Sequence, residues 1–227
     1  MRLLDVKRDE VGGVGLLPTG SLEQHGPHLP MGTDCILSQY VAEEAAKEVP
    51  ESLLFPALCY GVSLEHQGFP YVGVSGETFM KLVREVLETS TSAGVRRTVI
   101  VNGHGGNEPY LKVVQREFNF SHREAKVYVH NLATYGGDLH AGVRETSELY
   151  VVNRELVDSE RMRSVDPSFR EGIFERLGVK EATKDGVADS SGRLVVDEEL
   201  GRRMLRTDVL RVVSLVREFL KELKGTA

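Results

Sequence analysis

Four segments of this sequence crowd carboxylates and imidazoles into polar, glycine-rich stretches. The first is Gly20-Ser21-Leu22-Glu23-Gln24-His25-Gly26-Pro27-His28-Leu29-Pro30, followed by Thr33-Asp34. Glu23 and His25 are two apart, so in an extended segment both project to the same side. With Asp34 they offer a carboxylate, an imidazole and a second carboxylate, a set suited to a divalent transition metal of the zinc type. A plainer reading competes: Thr33 or Asp34 caps a helix, and His25 and His28 are surface histidines.

The second segment is Asn102-Gly103-His104-Gly105-Gly106-Asn107. Its glycines let the backbone turn sharply and approach a ligand closely, which makes Gly105 and Gly106 candidate substrate contacts. His104 stands where a third protein ligand is wanted. Such turns also hold phosphates, but the Lys-Ser/Thr pair and the Gly-x-Gly-x-x-Gly spacing are missing. The third segment, Asp138 to Ser147, carries His140 and Glu145 as an acid/base and ligand pair. His140, titrating near neutrality, is the candidate proton donor. Helix capping by Asp138 or Thr146, with Glu145 at the positive end of the helix dipole, is the alternative. The fourth, Tyr60 to Pro70, mixes polar and apolar residues and offers Ser63 and His66 to an organic substrate.

These segments need a scaffold that brings them together. Val11–Leu17, Leu53–Leu58, Thr98–Val101 and Lys126–Leu132 read as strands, one ahead of each segment. Cys35–Val49, Glu77–Ser92, Glu108–Phe118, a helix starting at Thr146, and Asp197–Leu223 carry apolar residues at helical spacing. That order predicts an α/β fold, a three-layer doubly wound domain with a mainly parallel central sheet. Ligands bind such sheets at the carboxyl ends of the strands, where all four segments fall. Five of the seven histidines lie in them. Residues 159–196 have weak periodicity and read as irregular or partly mobile.

Composition narrows the classes. The chain has 227 residues, a net charge of -6 and 41% hydrophobic residues, enough for one core over residues 1–227 without staples. With no Lys/Arg run and no Trp, nucleic acid is not an expected partner. No apolar run approaches the ~18 residues that span a bilayer, so no membrane role is expected. The first ten residues lack the apolar core of a signal peptide. Cys35 and Cys59 show no paired spacing, and the expected compartment is a reducing cytoplasm.

The Glu23–Pro30 and Asn102–Asn107 blocks, with Tyr60–Pro70 and His140–Ser147, resemble in order and spacing the signature blocks of the creatininase (creatinine amidohydrolase) family. The resemblance runs from about Gly15 to the C-terminal helix. It implies two divalent metal ions per subunit, Zn2+ or else Mn2+ or Fe2+, held by Glu23, His25, Asp34 and His104, with Asp34 bridging. It also implies hydrolysis of a C–N amide bond in a small molecule, and a homo-oligomer, hexameric in creatininase itself. Members include creatininase, a peptidase of a redox-cofactor pathway, and a formamide hydrolase of flavin and deazaflavin biosynthesis. Creatininase carries a Glu ligand two residues after the histidine of the Asn-Gly-His block. Here that position is Gly106, and the resemblance implies that Glu145 supplies the carboxylate. The reading from another class is a non-catalytic nucleotide-binding module using the Asn102–Asn107 turn.

Overall fold

The computed structural model describes residues 1–134 and 136–225. In chain order the elements are β1 (Val14–Thr19), β2 (Leu22–Glu23), α1 (Thr33–Glu48), β3 (Ser52–Leu54), β4 (Tyr71–Val72), α2 (Gly76–Ser92), β5 (Arg97–Asn102), α3 (Glu108–Ser121), β6 (Lys126–Asn131), β7 (Asp138–His140), α4 (Val143–Asn153), α5 (Ser159–Met162), α6 (Val179–Ala182), β8 (Ala188–Asp189) and α7 (Glu198–Gly225). Four strands form a parallel sheet in the order β3-β1-β5-β6. The chain passes from β1 to β3 on one side and then to β5 on the other. The crevice between the carboxyl ends of β1 and β5 is therefore the topological switch point, where such sheets take ligands.

Alternation along the strands builds the layers. Val14, Leu16, Val99 and Val101 face one way, onto Leu37 and Val41 of α1, Leu149 of α4 and Val212 of α7. Leu17, Ile100 and Val127 face the other way, onto Phe79, Val83 and Leu87 of α2 and Leu111, Val114 and Phe118 of α3. Each such buried side chain is worth roughly 1.5–3 kcal/mol against exposure. Local signals place the helix starts: Ser75 accepts the Thr78 N–H at the head of α2, and Pro109 sits in the first turn of α3, where its missing N–H costs nothing.

The expected elements are present with shifted ends. The first strand starts at Val14 and not Val11, because Gly13 adopts φ 78° in the left-handed region. The strand expected over residues 53–58 stops at Leu54; Pro56 has no N–H to offer a ladder. The helix expected from Thr146 starts at Val143. Residues 159–196 hold only one-turn helices and β8, which pairs with β7. This stretch packs on a small core of Ile173, Ala182 and Ala188.

One expectation is corrected. Cys35 and Cys59, read as unpaired, are disulfide-bonded with Cα atoms 5.7 Å apart. Parallel pairing of β1 with β3 carries the start of α1 and the segment after β3 to the same edge, which no sequence spacing reveals. No helix among the described residues is long and apolar enough to cross a membrane.

Candidate metal centre

All four predicted segments leave the same end of the sheet, and two asparagines lash three of them together. Asn102, at the end of β5, donates to the His104 carbonyl at 2.7 Å and to Asn131 Oδ1 at 2.9 Å. It also accepts from Thr19 Oγ1 at the end of β1, at 3.0 Å. Asn107 donates to the Gly20 carbonyl at 3.1 Å and accepts the Val62 N–H at 3.0 Å. Gly103 has no side chain because a Cβ there would run into the Asp34 carbonyl; that contact seats His104 beside Asp34.

Asp34 lies in the first turn of α1, buried, and divides its two oxygens. Oδ1 is 3.1 Å from His25 Nε2, and Oδ2 is 3.1 Å from His104 Nδ1. Glu23 Oε1 stands 3.3 Å from His104 Nδ1, and Glu145 Oε2 stands 3.9 Å from His25 Nε2. Four groups of three donors result: Glu23–Asp34–His104 and His25–Asp34–Glu145, with Asp34 common to both, and two more in which Glu23 stands with His25 and His140 or with Glu65 and His66. The far nitrogens orient the rings. His25 Nδ1 donates to the Glu23 carbonyl at 3.0 Å, and His104 Nε2 donates to the Val62 carbonyl at 2.7 Å. Once those outer protons are fixed, the nitrogens facing the carboxylates are the ones that would give up their protons to ligate a metal.

This donor set fits a cation by two further tests. Glu23 Oε2 is buried with no hydrogen-bond donor, a costly state for a carboxylate oxygen unless an ion faces it. The titration behaviour agrees. Burial alone would push His25 down, yet the Asp34 carboxylate beside it raises it to about 10. His104 is likewise raised, against its burial, by Glu23 and Asp34. Both carboxylates are held low by those imidazolium charges, despite burial. The cluster recruits positive charge at its centre.

Glu145 arrives on α4, whose start is capped by two buried carboxylates. Asp138 accepts the N–H groups of Gly142 and Arg144 at 3.1 and 2.6 Å, and Asp189 accepts that of Val143 at 2.7 Å. Capping and site building thus occur together: Asp138 serves the helix and Glu145 serves the cluster. Glu145 is clamped at both oxygens, by Arg144 at 2.6 Å and by the Ala141 N–H at 2.6 Å.

His140 lies at the cavity wall. Its Nε2 donates to the Gln24 carbonyl at 2.8 Å, which leaves Nδ1 as an acceptor 3.7 Å from Glu23 Oε1. Burial and the neighbouring charges of His25 and His66 hold its pKa well below the usual value. His66 donates to Glu23 Oε1 at 3.2 Å and lines the cavity, as do Gly105 and Gly106. Ser63, expected at the substrate, lies off the cavity wall. It is buried against Ser21 Oγ at 2.5 Å because its loop turns inward toward β2. The histidine His28, read as a surface residue in the plainer view, is buried and bonded to Thr146 Oγ1 at 2.9 Å.

A family model described as creatinine amidohydrolase matches residues 4–216. The chain belongs to the creatininase family. A mycofactocin precursor peptide peptidase from Mycobacterium ulcerans is 37% identical over 65% of this chain and 61% of that protein, less than two thirds of its length. The peptidase of the same name from Mycobacterium tuberculosis is 32% identical over 92% and 87%. A 2-amino-5-formylamino-6-ribosylaminopyrimidin-4(3H)-one 5'-monophosphate deformylase from Methanothermus fervidus is 29% identical over 93% and 87%. Solved creatininases share the fold. A zinc–zinc form gives a TM-score of 0.80 at 24% identity over 96% of this chain and 97% of that one. A manganese form gives 0.74 at 23% over 96% and 97%.

Sequence reasoning missed several residues of this family site. Asn102 and Asn107 were visible in the glycine-rich block but not as struts. Gln24, whose amide bridges His66 Nδ1 and the Gly186 carbonyl, carried no signal of its own. Glu65, Tyr110, Leu139 and Phe174 complete the cavity, of about 450 Å³. The one available signal for Glu65 was Gly106, whose bare Cα leaves the space that the Glu65 carboxylate occupies.

Proposed function

We propose that this chain is a metal-dependent hydrolase of a carbon–nitrogen amide bond in a small molecule, built as one domain. The observation that carries the reading is Asp34, with one oxygen facing His25 and the other facing His104. Glu23, Asp34 and His104 would hold one divalent ion, and His25, Asp34 and Glu145 a second. Oxygen and imidazole donors accept zinc, manganese or iron. When bound, such ions polarise a carbonyl and bring the pKa of water toward ~7.

The chain's own residues supply the rest. His140 Nδ1 opens on the cavity as an acceptor, and burial keeps the ring neutral. It takes a proton as the amide carbon is attacked and, being a weak base there, passes it to the leaving nitrogen. Gln24 fixes the His140 ring through its carbonyl and fixes His66 through its amide. Gly105 and Gly106 let the substrate approach the backbone, and Tyr110 and Phe174 shield it from bulk water. On family grounds the working assembly is a homo-oligomer, with a hexamer as the reference.

Elemental analysis followed by an amide screen tests this. Metal should co-purify near two equivalents per chain, and at least one of a formamide, creatinine or a peptide amide should be hydrolysed. Metal-free protein with bound nucleotide would favour the non-catalytic module.

A further inference from the structure

The cavity over the cluster has a lopsided wall. Leu64, Leu139 and Phe174 are exposed apolar residues that line it. Its acidic residues are Glu23, Asp34, Glu65 and Glu145; no lysine or arginine lines it. Three of those carboxylates belong to the two groups that share Asp34. Glu65 is the fourth, and its situation differs. It sits on a single turn, Leu64–His66, with the backbone carbonyl packed where a Cβ on Gly178 would stand at 3.1 Å. The nearest cationic partner is His104 Nε2, 3.6 Å from Oε1, but that N–H is already given to the Val62 carbonyl. Among the described residues no side chain donates a hydrogen bond to the Glu65 carboxylate. Its carboxylate lines the cavity as an acceptor with no side-chain donor bound to it.

Resting on the amide-hydrolase reading, we propose that Glu65 determines specificity by accepting an N–H from a substrate amine next to the scissile amide. Leu64, Leu139 and Phe174 take an apolar side chain of the same substrate. The spacing suits this. Glu65 lies within 4.8 Å of donor atoms of Glu23 and His66, so a group bound by Glu65 stands beside the ion that Glu23 would hold. An α-amino amide places its amine there. The substrate class is therefore an amino-acid or peptide amide with a free α-amine and an apolar side chain. A phosphorylated or carboxylated substituent at this point would meet the Glu65 carboxylate and no lysine or arginine of the cavity wall. Arg176 and Lys180 belong to the adjoining groove beyond Glu65, where they share the space with Glu175 and Glu181.

The test uses metal-loaded protein and two probes that carry no amide bond, leucinol and its amine-free analogue 4-methylpentan-1-ol, titrated by calorimetry. Wild type should bind leucinol about 10- to 100-fold more tightly, the range for one hydrogen bond to a charged group. Glu65→Gln, which keeps shape and fold, should close that gap, and Glu65→Lys should invert it. Metal content should be unchanged in Glu65→Gln. Equal binding of both probes by wild type, a gap that survives Glu65→Gln, or loss of metal in Glu65→Gln would each overturn the proposal; the last would make Glu65 a ligand. Ammonia release from leucinamide by the same samples judges the hydrolase reading separately. A binding preference without release speaks against that reading and still supports the role of Glu65.

Discussion

Arg144 is the residue whose removal should reveal how the cluster is supported. It is buried, and its guanidinium donates to Glu145 Oε1 at 2.6 Å and to Glu148 Oε2 at 3.0 Å. One cation thus serves two buried carboxylates. The charge is unevenly matched: burial and the nearby Glu145 and Asp208 push Glu148 up to about 8 even with Arg144 beside it. Arg144→Met takes the cation away and leaves both carboxylates buried without it. Breaking a buried pair in this way costs about 3–5 kcal/mol. For a chain of this size that is a fall in Tm of roughly 6–20 °C, at ~2–4 °C per kcal/mol. Thermal unfolding of metal-depleted protein at pH 7, followed by circular dichroism, reads it directly. The double variant Arg144→Met/Glu148→Met should recover much of the loss, because apolar replacement of a whole buried pair is close to neutral. Metal affinity should fall about 10- to 100-fold in Arg144→Met, since Glu145 keeps the Ala141 N–H but loses the partner that orients its other oxygen. A Tm within ~2 °C of wild type and unchanged metal affinity would refute the account of α4 as a charged support for the site.

Other outcomes follow from the same geometry. At pH 7.5 the raised pKa values of His25 and His104 mean that both carry protons before metal enters. Loading should release about two protons per chain, measured by calorimetry in two buffers of different ionisation enthalpy; no release would remove these histidines from the ligand set. Asp34→Ala should lose at least one ion together with activity. By contrast His140→Ala should keep its metal and slow turnover by ~10²–10⁴-fold, and equal metal loss in the two variants would make His140 a ligand. His28 is pushed down to about 4 by its burial and by the charge of His25. Its folded pKa lies below the unfolded value, so the unfolded chain binds the extra proton and stability falls as pH drops from ~6.5 toward 4. The loss is about 3 kcal/mol at the acid end. Urea titrations across that window should show a shallower pH slope in His28→Gln.

The sequence alone was enough to read which segments carry the chemistry and which elements lie between them. Alternation in strands and 3.6-residue spacing in helices are local patterns, so β1, β5, α2, α3 and α7 are legible without any knowledge of neighbours. The segment order, always after a strand, then places Glu23, His25, Asp34, His104, His140 and Glu145 at one end of a sheet. What spacing cannot encode is which atom faces which. That Asp34 stands between His25 and His104 depends on β1 pairing with β5 and on a bare Cα at Gly103. The pairing of Cys35 with Cys59, the inward turn of Ser63, the struts Asn102 and Asn107, and the clamp of Arg144 on Glu145 come from the same contacts. Phe174 reaches the cavity from a stretch of weak periodicity. Hydrophobic period is a property of one element against a generic core, whereas a site is a set of directional contacts among residues more than a hundred positions apart, such as Gln24 and His140. Only the packed sheet, with its strand order and register, brings those directions to one point.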